Sequence, residues 1–461
     1  MYIQSEKTIA AVSTPPGESG IAVIRMSGDR ALPILQSVFQ ADPENQILKN
    51  RKAIHGWILD GSTRLDEVVV TYFQNPNSYT GEDVVEINCH GSPFICHRIL
   101  AALFSKGARP ANPGEFTLRA FLNKKMDLTQ AEAVADLIHS KIEASRKAAM
   151  VQLEGRLSKW IYSIRDRLIH VCVLLEVELD FSEEDIQFAS RRDIEILIDE
   201  MILDTRKLVA SFDRGRVCRE GLRIALIGKP NVGKSSLLNR LLEKERAIVT
   251  EIPGTTRDTV EDILDIGGMM CHITDTAGIR DTSDPIEIEG VRRANRALES
   301  ADLVLLVLDK SMVMDKEDEA LIVRTLDLKK NAFCIVNKID AMPAWQIDTL
   351  KPLIEKMQLY EVSALKDTGI PLLVSAIETA VRFESPPDIG DIFLTNIRHR
   401  DCLLKLGKNL QEAASSIKKG MSQEFIVVDL MGALETVGEI TGDSAGDDVL
   451  NRIFSSFCIG K

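Results

Sequence analysis

No stretch of the chain is apolar over the roughly 18 to 20 positions that a membrane-spanning helix needs. No membrane span is expected, and the protein reads as soluble. The N-terminus has neither the basic start and apolar stretch of a secretory signal nor the arginine-rich, acid-poor composition of a transit peptide, so a cytoplasmic location is expected. The 8 cysteines include no C-x-x-C pair and have no secretory context, which favours reduced thiols over a disulfide framework. HExxH is absent, as is any Cys/His group of zinc-finger spacing; the neighbours Cys89-His90 and Cys96-His97 are more often accidental than a metal site. Positive charge is also short. With 56 lysines and arginines against 69 acids, the net charge of −13 argues against nonspecific coating of nucleic acid, but a local basic face can still dock one RNA. There is no internal repeat and no low-complexity tract.

What is present is an ordinary globular composition, 45% hydrophobic and 27% charged, over 461 residues, more than one hydrophobic core usually serves. From Thr8 onward, short β-rich runs such as Ile21-Ala22-Val23-Ile24 and Val84-Val85-Glu86-Ile87 alternate with turns such as Thr14-Pro15-Pro16-Gly17, which predicts an α+β domain over 1–122. Turn signals then nearly vanish. Apolar residues recur at helical spacing, as at Ala131, Val134, Ala135 and Ile138 and at Leu168, Val171, Leu174 and Leu175, predicting long helices over 123–220. Over 221–382 apolar strands at 222–227, 270–274, 303–308 and 332–336 alternate with amphipathic helices, the pattern of a mostly parallel sheet. After Glu384-Ser385-Pro386-Pro387 helical spacing resumes over 383–461 through Leu404, Leu406 and Leu410. The simplest architecture is multidomain: an α+β domain, then an all-α helical domain whose two halves pack together around an inserted α/β P-loop domain.

The inserted domain carries the chemistry. Gly228-Lys229-Pro230-Asn231-Val232-Gly233-Lys234-Ser235 follows a strand and opens a helix, as the phosphate-binding sequence G-x-x-x-x-G-K-[ST] requires. Backbone N–H groups here, continuing to Ser236, curl round the β-phosphate; Lys234 sets a cation against the β and γ oxygens, and the Ser235 hydroxyl suits Mg2+. In Gly254-Thr255-Thr256-Arg257-Asp258, Thr256 is placed to complete the Mg2+ shell when γ-phosphate is present. Asp275-Thr276-Ala277-Gly278 ends a strand, with Asp275 positioned to hold Mg2+ through water and the Gly278 N–H to reach the γ-phosphate. Asn337-Lys338-Ile339-Asp340 supplies a carboxylate that accepts from guanine N1–H and the 2-amino group, a pattern adenine lacks. Ser363-Ala364-Leu365 would close over the base through its backbone. Together these motifs predict GTP and GDP as ligands and GTP hydrolysis as the reaction. Where Ras-like enzymes place a water-orienting glutamine stands Ile279, which has no side-chain hydrogen bond to offer. The spacing alone leaves Arg280, Asp281, Asp284, Glu287 and Glu289 open as replacements.

Five further segments have nothing to do with GTP. They are Thr14-Pro15-Pro16-Gly17 with Ile24-Arg25-Met26-Ser27-Gly28, then Ser78-Tyr79-Thr80-Gly81-Glu82-Asp83, then Arg109-Pro110-Ala111-Asn112-Pro113-Gly114-Glu115-Phe116, then Phe121-Leu122-Asn123, and the terminal Phe457-Cys458-Ile459-Gly460-Lys461. On these the chain resembles, over essentially its whole length, the MnmE (TrmE) family of tRNA-modification GTPases. The resemblance implies an N-terminal folate-binding and dimerisation domain, a homodimer, and an MnmG-type flavoprotein partner that carries FAD and completes a heterotetramer. It also implies the installation of an aminomethyl-type group, commonly carboxymethylaminomethyl, on carbon 5 of the wobble uridine of certain tRNAs, with 5-formyl- or methylene-tetrahydrofolate as the bound folate. Matched by motif, the folate contacts are Arg25, Glu86, Lys125 and, reaching in from the C-terminus, Lys461. The three cations suit the glutamate carboxylates of a folate, and Glu86 suits the amino-pyrimidine edge of its pterin. Cys458, in the terminal Cys-x-Gly-Lys, is a candidate catalytic thiol, though a small buried residue would look the same.

For hydrolysis the resemblance implies activation by potassium and by dimerisation of the GTPase domains. Asn231 would ligate K+, with Thr250, Ile252 and Thr255 completing its shell within the nucleotide-binding loop Thr250-Glu251-Ile252-Pro253-Gly254-Thr255. A cation there offsets charge developing in the transition state. Glu287 matches the family residue that orients the attacking water. Val232 stands where many members have alanine, at a position that contributes mainly backbone. For tRNA, Arg206, Lys207, Arg214, Arg216 and Arg219, and Arg398, Arg400, Lys405 and Lys408, are candidate phosphate contacts, or equally the solvated faces of helices. Two alternatives share the GTPase motifs: a ribosome-assembly GTPase of the Era or Der kind, which lacks this N-terminal domain and this C-terminus, and a regulatory switch with no covalent role.

Overall fold

The computed structural model describes residues 7–43, 49–180, 191–244, 261–267, 269–275, 297–355, 357–381 and 392–461. The chain divides into two compact units, one of residues 1–138, 152–206 and 401–461, the other of residues 139–151 and 207–400.

The first unit holds a seven-stranded sheet of β1 (Ile9–Val12), β2 (Ser19–Ser27), β3 (Phe39–Ala41), β4 (Ala53–Asp60), β5 (Thr63–Phe73), β6 (Val84–Gly91) and β7 (Arg109–Pro110), in the order β3-β4-β5-β6-β2-β1-β7. Pairing is antiparallel except between β1 and β7. Side chains alternate between faces along a strand, and that alternation places the later site. Ile24 and Met26 of β2 pack with Val85 and Ile87 of β6 and with Ile99 and Leu103 of helix Pro93–Ser105. Arg25 and Glu86, one step out of phase and opposite each other in register, are therefore turned to the other face. On that side Phe116 of helix Glu115–Leu122 packs with Ile9, Ala11 and Tyr79.

The C-terminal helix Asp447–Ser455 joins the same unit, setting Phe454 and Phe457 against Leu118, Phe121 and Leu128. Gly114, at φ +66°, leaves room for it, since a Cβ there would press on the Phe454 carbonyl. Helix Gln423–Thr441 packs along helix Arg156–Asp180, so segments far apart in sequence share one unit.

The second unit holds a six-stranded sheet of β8 (Leu222–Ile227), β9 (Glu261–Ile266), β10 (Met269–Asp275), β11 (Leu303–Asp309), β12 (Asn331–Asn337) and β13 (Gln358–Glu361), in the order β13-β12-β11-β8-β10-β9. All pairings are parallel except that of β9 with β10. A parallel sheet is covered on both faces and so needs strands apolar throughout. β11 meets that need: Leu303, Leu305 and Val307 face the helices Lys234–Lys244 and Ile370–Val381, while Val304, Leu306 and Leu308 face Ile322 of helix Lys316–Asp327. Residues 207–220 and 392–400, which continue the helical segments in the sequence reading, group with this sheet. Arg216 pairs with Asp302 at 2.5 Å, the Ser211 hydroxyl accepts from the Leu394 N–H at 3.1 Å, and Arg400 stacks on Phe212.

Candidate functional site

The carboxyl ends of β8, β10, β11 and β12 lie along one edge of the parallel sheet, where ligands of open α/β sheets bind. The chain leaves β8 through a turn that an ordinary side chain cannot follow. Gly228 has φ +151° and Gly233 φ +97°, and a Cβ would strike the Val307 carbonyl at the first and the Asn337 amide at the second. Asn231 itself takes a left-handed conformation, φ +66°. The loop delivers Lys234 to the start of its helix, where the buried ammonium donates to the carbonyls of Gly228 at 2.8 Å and Lys229 at 2.9 Å. A cation thus spans the mouth of a ring of N–H groups at a helix N-terminus, an arrangement suited to phosphate. Ser235 and Ser236 follow on the first turn.

The base-reading residues interlock with this loop. Asn337, buried at the end of β12, donates to the Val232 carbonyl at 2.9 Å and accepts from the Ala364 N–H at 3.1 Å. Lys338 donates to the Asn231 carbonyl at 2.7 Å and to Asp309 at 2.6 Å. The Ser363 hydroxyl donates to Asp340 at 2.6 Å, and this bond holds the Asp340 carboxyl below its usual range, ready to accept as an anion. Burial alone would raise the Asp309 carboxyl, but the bonds from Lys338 and Ser311 outweigh it and keep it ionised.

Asp309 was not singled out by motif. Asp309 ends β11 as Asp275 ends β10, so a strand-terminal acid at the ligand edge was the available signal. Asp275 closes β10 in register with Leu226 of β8. Thr250, Glu251, Ile252, Pro253, Gly254, Thr255, Thr256, Thr276, Ala277, Gly278 and Glu287 lie outside the described residues, as does Ile279.

The first unit brings together a second group of predicted residues. Arg25 pairs with Glu86 through Nε at 3.0 Å and Nη2 at 2.7 Å, and its guanidinium lies 5.3 Å from the Tyr79 ring centre. The C-terminal residues are tied down beside it. Ser13 donates to the Gly460 carbonyl at 3.1 Å, the Phe116 N–H to the Lys461 carbonyl at 3.2 Å, and the Gly114 N–H to the Cys458 carbonyl at 3.4 Å. Burial, and next the Arg25 charge, push the Lys461 ammonium below the usual lysine range, against the opposing pull of Glu86 and Cys458. The tail is docked against Phe116, whose ring centre lies 5.8 Å from the Arg25 guanidinium, which sets Lys461 on the Arg25 side of the sheet. Lys125 instead donates to the Pro76 carbonyl at 3.0 Å. The Cys458 side chain is exposed, so it is no buried filler.

Several of the basic candidates are already engaged. Arg216 holds Asp302, Arg398 contacts the His399 ring, Arg400 covers Phe212, Lys405 holds Glu439 at 2.8 Å, and Lys408 lies 3.6 Å from Glu412. Arg206 lines an open cavity of 560 Å³ with Lys418, Lys419 and Gln411, where Asp199 also lies. Lys418 and Lys419 were missing from the sequence reading. Arg206 sits on a helical run, and only packing against the helix Ile397–Lys418 adds them to it.

A phosphate-binding loop on a parallel sheet, locked to a base-reading Asn-Lys-x-Asp, defines the second unit as a P-loop GTPase domain. Comparison with known proteins carries the assignment further. The family model for the MnmE helical domain matches residues 128–458, and that for the GTP-binding protein TrmE N-terminus matches residues 8–125. The tRNA modification GTPase MnmE of Natranaerobius thermophilus is 43% identical over 99% of this chain and 100% of its own length. That of Clostridioides difficile is 41% identical over 99% of each. Among solved structures, Era of Aquifex aeolicus bound to GDP and AlF4− is 29% identical over 40% of this chain and 65% of its own, with a TM-score of 0.30. The chain belongs to the MnmE family of tRNA modification GTPases. It is a GTP hydrolase that takes part in tRNA modification.

Proposed function

We propose that this GTPase works as a homodimer with an MnmG-type flavoprotein carrying FAD to install an aminomethyl-type group, commonly carboxymethylaminomethyl, on carbon 5 of the tRNA wobble uridine. The protein acts in the cytoplasm, where its tRNA is. A folate binds at the corner of Arg25, Glu86 and Lys461, with Lys125 joining once it leaves the Pro76 carbonyl, and when bound it supplies the one-carbon unit. The observation that carries this reading is the docking of the last residue, Lys461, beside Arg25 and Glu86, nearly the whole chain length away in sequence. Arg25 beside the aromatic face of Tyr79, with Glu86 paired to it, offers a folate an aromatic surface, a cation and a carboxylate in one place. The exposed Cys458 thiol, whose backbone is pinned at that corner, is the candidate for covalent chemistry there.

In the GTPase domain Lys234 and the loop of Asn231, Val232, Gly233, Ser235 and Ser236 hold the phosphates, Asp340 reads guanine, and Ser235, Thr256 and Asp275 hold Mg2+. The Asn231 side chain is exposed at the loop crest, and no described residue is hydrogen-bonded to its amide, so it is available as a K+ ligand. Glu287 orients the attacking water. Segments 1–122, 123–220, 221–382 and 383–461 are the corresponding folate-binding, helical, GTPase and returning helical parts.

Two measurements test the proposal. Wobble-uridine modification in cells carrying Lys461→Ala or Arg25→Ala should be lost while GTP hydrolysis persists; unchanged modification removes the folate site. The GTPase rate of the wild type in potassium should exceed that in sodium, and Asn231→Ala should abolish the difference. Equal rates in both salts reject the potassium mechanism.

A further inference from the structure

We propose that Arg240 is a positioning residue for guanine recognition, a strap running from the phosphate-binding helix to the loop that closes over the base. It rests on the reading of Ser363-Ala364-Leu365 as that loop.

Arg240 stands on the helix Lys234–Lys244, on the same rigid element as the phosphate-binding Lys234. Its Nε donates to the Ala364 carbonyl at 2.9 Å and its Nη2 to the Leu365 carbonyl at 3.2 Å, while Nη1 holds Glu243 at 2.7 Å on the exposed side. The loop has little else to fix its crest. It is a turn closed by the Ser363 N–H to the Thr368 carbonyl at 2.9 Å; Ala364 is buried at its base, but the Leu365 side chain is 74% exposed, so no apolar contact of its own anchors Leu365. Across a trans peptide the carbonyl and the following N–H point in opposite directions. With the carbonyls of Ala364 and Leu365 turned to Arg240, the N–H groups of Leu365 and Lys366 are turned away from it. The Lys366 N–H is taken by the Ser363 hydroxyl at 3.0 Å, whereas the Leu365 N–H bonds no described residue.

The strap therefore sets the Ala364–Leu365 peptide plane so that the Leu365 N–H is left to face an acceptor on the base edge, the carbonyl oxygen of guanine. Adenine carries an amino group at that position and would meet a donor with a donor. A guanidinium fork matches two successive carbonyls; the single ammonium of a lysine does not. Asn337 makes the equivalent link from the buried side, joining the Val232 carbonyl to the Ala364 N–H. Phosphate and base recognition are thus joined by two bridges, one at each side of the loop.

The test uses the full-length protein, with GDP affinity by calorimetry and steady-state GTP hydrolysis. Arg240→Ala should raise the Kd for GDP and the KM for GTP about tenfold and lower the preference for GDP over ADP, with the loss confined to binding rather than kcat. Arg240→Lys should recover less than half of that loss in affinity, and Glu243→Ala should leave affinity within about twofold of wild type. A GDP affinity for Arg240→Ala within about twofold of wild type overturns the strap, as does a fall in kcat at constant KM or full rescue by lysine. Should the alanine variant not fold, Arg240→Lys decides alone: wild-type affinity sinks the proposal. Asp340→Asn separates the two readings. If it leaves the GDP over ADP preference unchanged, the base-site reading fails; if it abolishes the preference while Arg240→Ala does nothing, only the strap falls.

Discussion

The GTP edge and the Arg25 corner are built in opposite ways. At the GTP edge each motif is a short contiguous run at the end of a parallel strand, and the sheet needs only to set strand ends side by side. At the corner, single residues of β2 and β6 pair and the chain terminus docks beside them, held by Phe116, a turn at Gly114 and a hydroxyl at Ser13. The first design tolerates change in its surroundings because each run carries its own geometry. The second depends on packing over most of its unit, so small changes far from the ligand should disturb it.

The largest expected effect lies at the edge. Lys234→Ala removes the cation at the loop mouth and should lower kcat for GTP about a hundred- to thousandfold, read by phosphate release, while leaving the Arg25 corner intact. Gly233→Ala drives a Cβ into the Asn337 amide at φ +97° and should weaken GDP binding by about tenfold or more in calorimetry. A comparable loss, in both variants, of folate binding at the site proposed for the Arg25 corner, before any GTP is added, would break the contrast between the two regions.

The corner is probed through stability. Glu115 is buried and accepts bonds from Arg109 and Arg119, with Arg119 also holding Glu82 at 2.8 Å. Burial would raise the Glu115 carboxyl, yet the bonds from Arg109 and the Asn112 N–H, with the Arg119 charge, hold it below the usual glutamate range. A folded value below the unfolded one means that the stabilisation is complete above about pH 4.3, the unfolded value, and is lost as pH falls through the folded value. Glu115→Gln should therefore cost about 3–5 kcal/mol at pH 7 in urea unfolding of the first unit and flatten its acid dependence below about pH 4.3. An acid profile identical to wild type would mean that Glu115 is not the group that titrates.

A smaller effect is expected at the tail. Gly460 has φ +96° and a Cβ would meet the Val12 carbonyl, so Gly460→Ala should undock Lys461 and cost about 1–3 kcal/mol, with GTP hydrolysis unchanged. The smallest lies back at the edge: Ser363→Ala removes the bond to Asp340 and the one accepted from the Lys366 N–H, both beside the base rather than on the phosphates, and should raise the KM for GTP only a few-fold.

Much of the fold was legible. Apolar runs at 222–227 and 303–308 became β8 and β11 because buried parallel strands tolerate little else, and the β-rich runs near Val23 and Val85 became β2 and β6. The antiparallel β9 and the attachment of 207–220 to the GTPase sheet were not legible. The first is an edge pairing that local composition does not encode, and the second rests on Arg216 meeting Asp302 and on the Ser211 hydroxyl meeting Leu394.

The sequence by itself determined the nucleotide and the family, since a phosphate loop, a guanine-reading carboxylate and the terminal Cys-x-Gly-Lys are contiguous runs whose spacing constrains the backbone directly. Tertiary structure alone decided which side chains are engaged. It closed the Arg25 and Glu86 pair, brought Lys461 to it, spent Arg216 and Lys405 on neighbouring acids, and set Arg240 on two loop carbonyls. The physical reason is that a hydrogen bond or ion pair acts over a few ångströms, and which distant residues come that close is fixed by packing, not by their order in the chain.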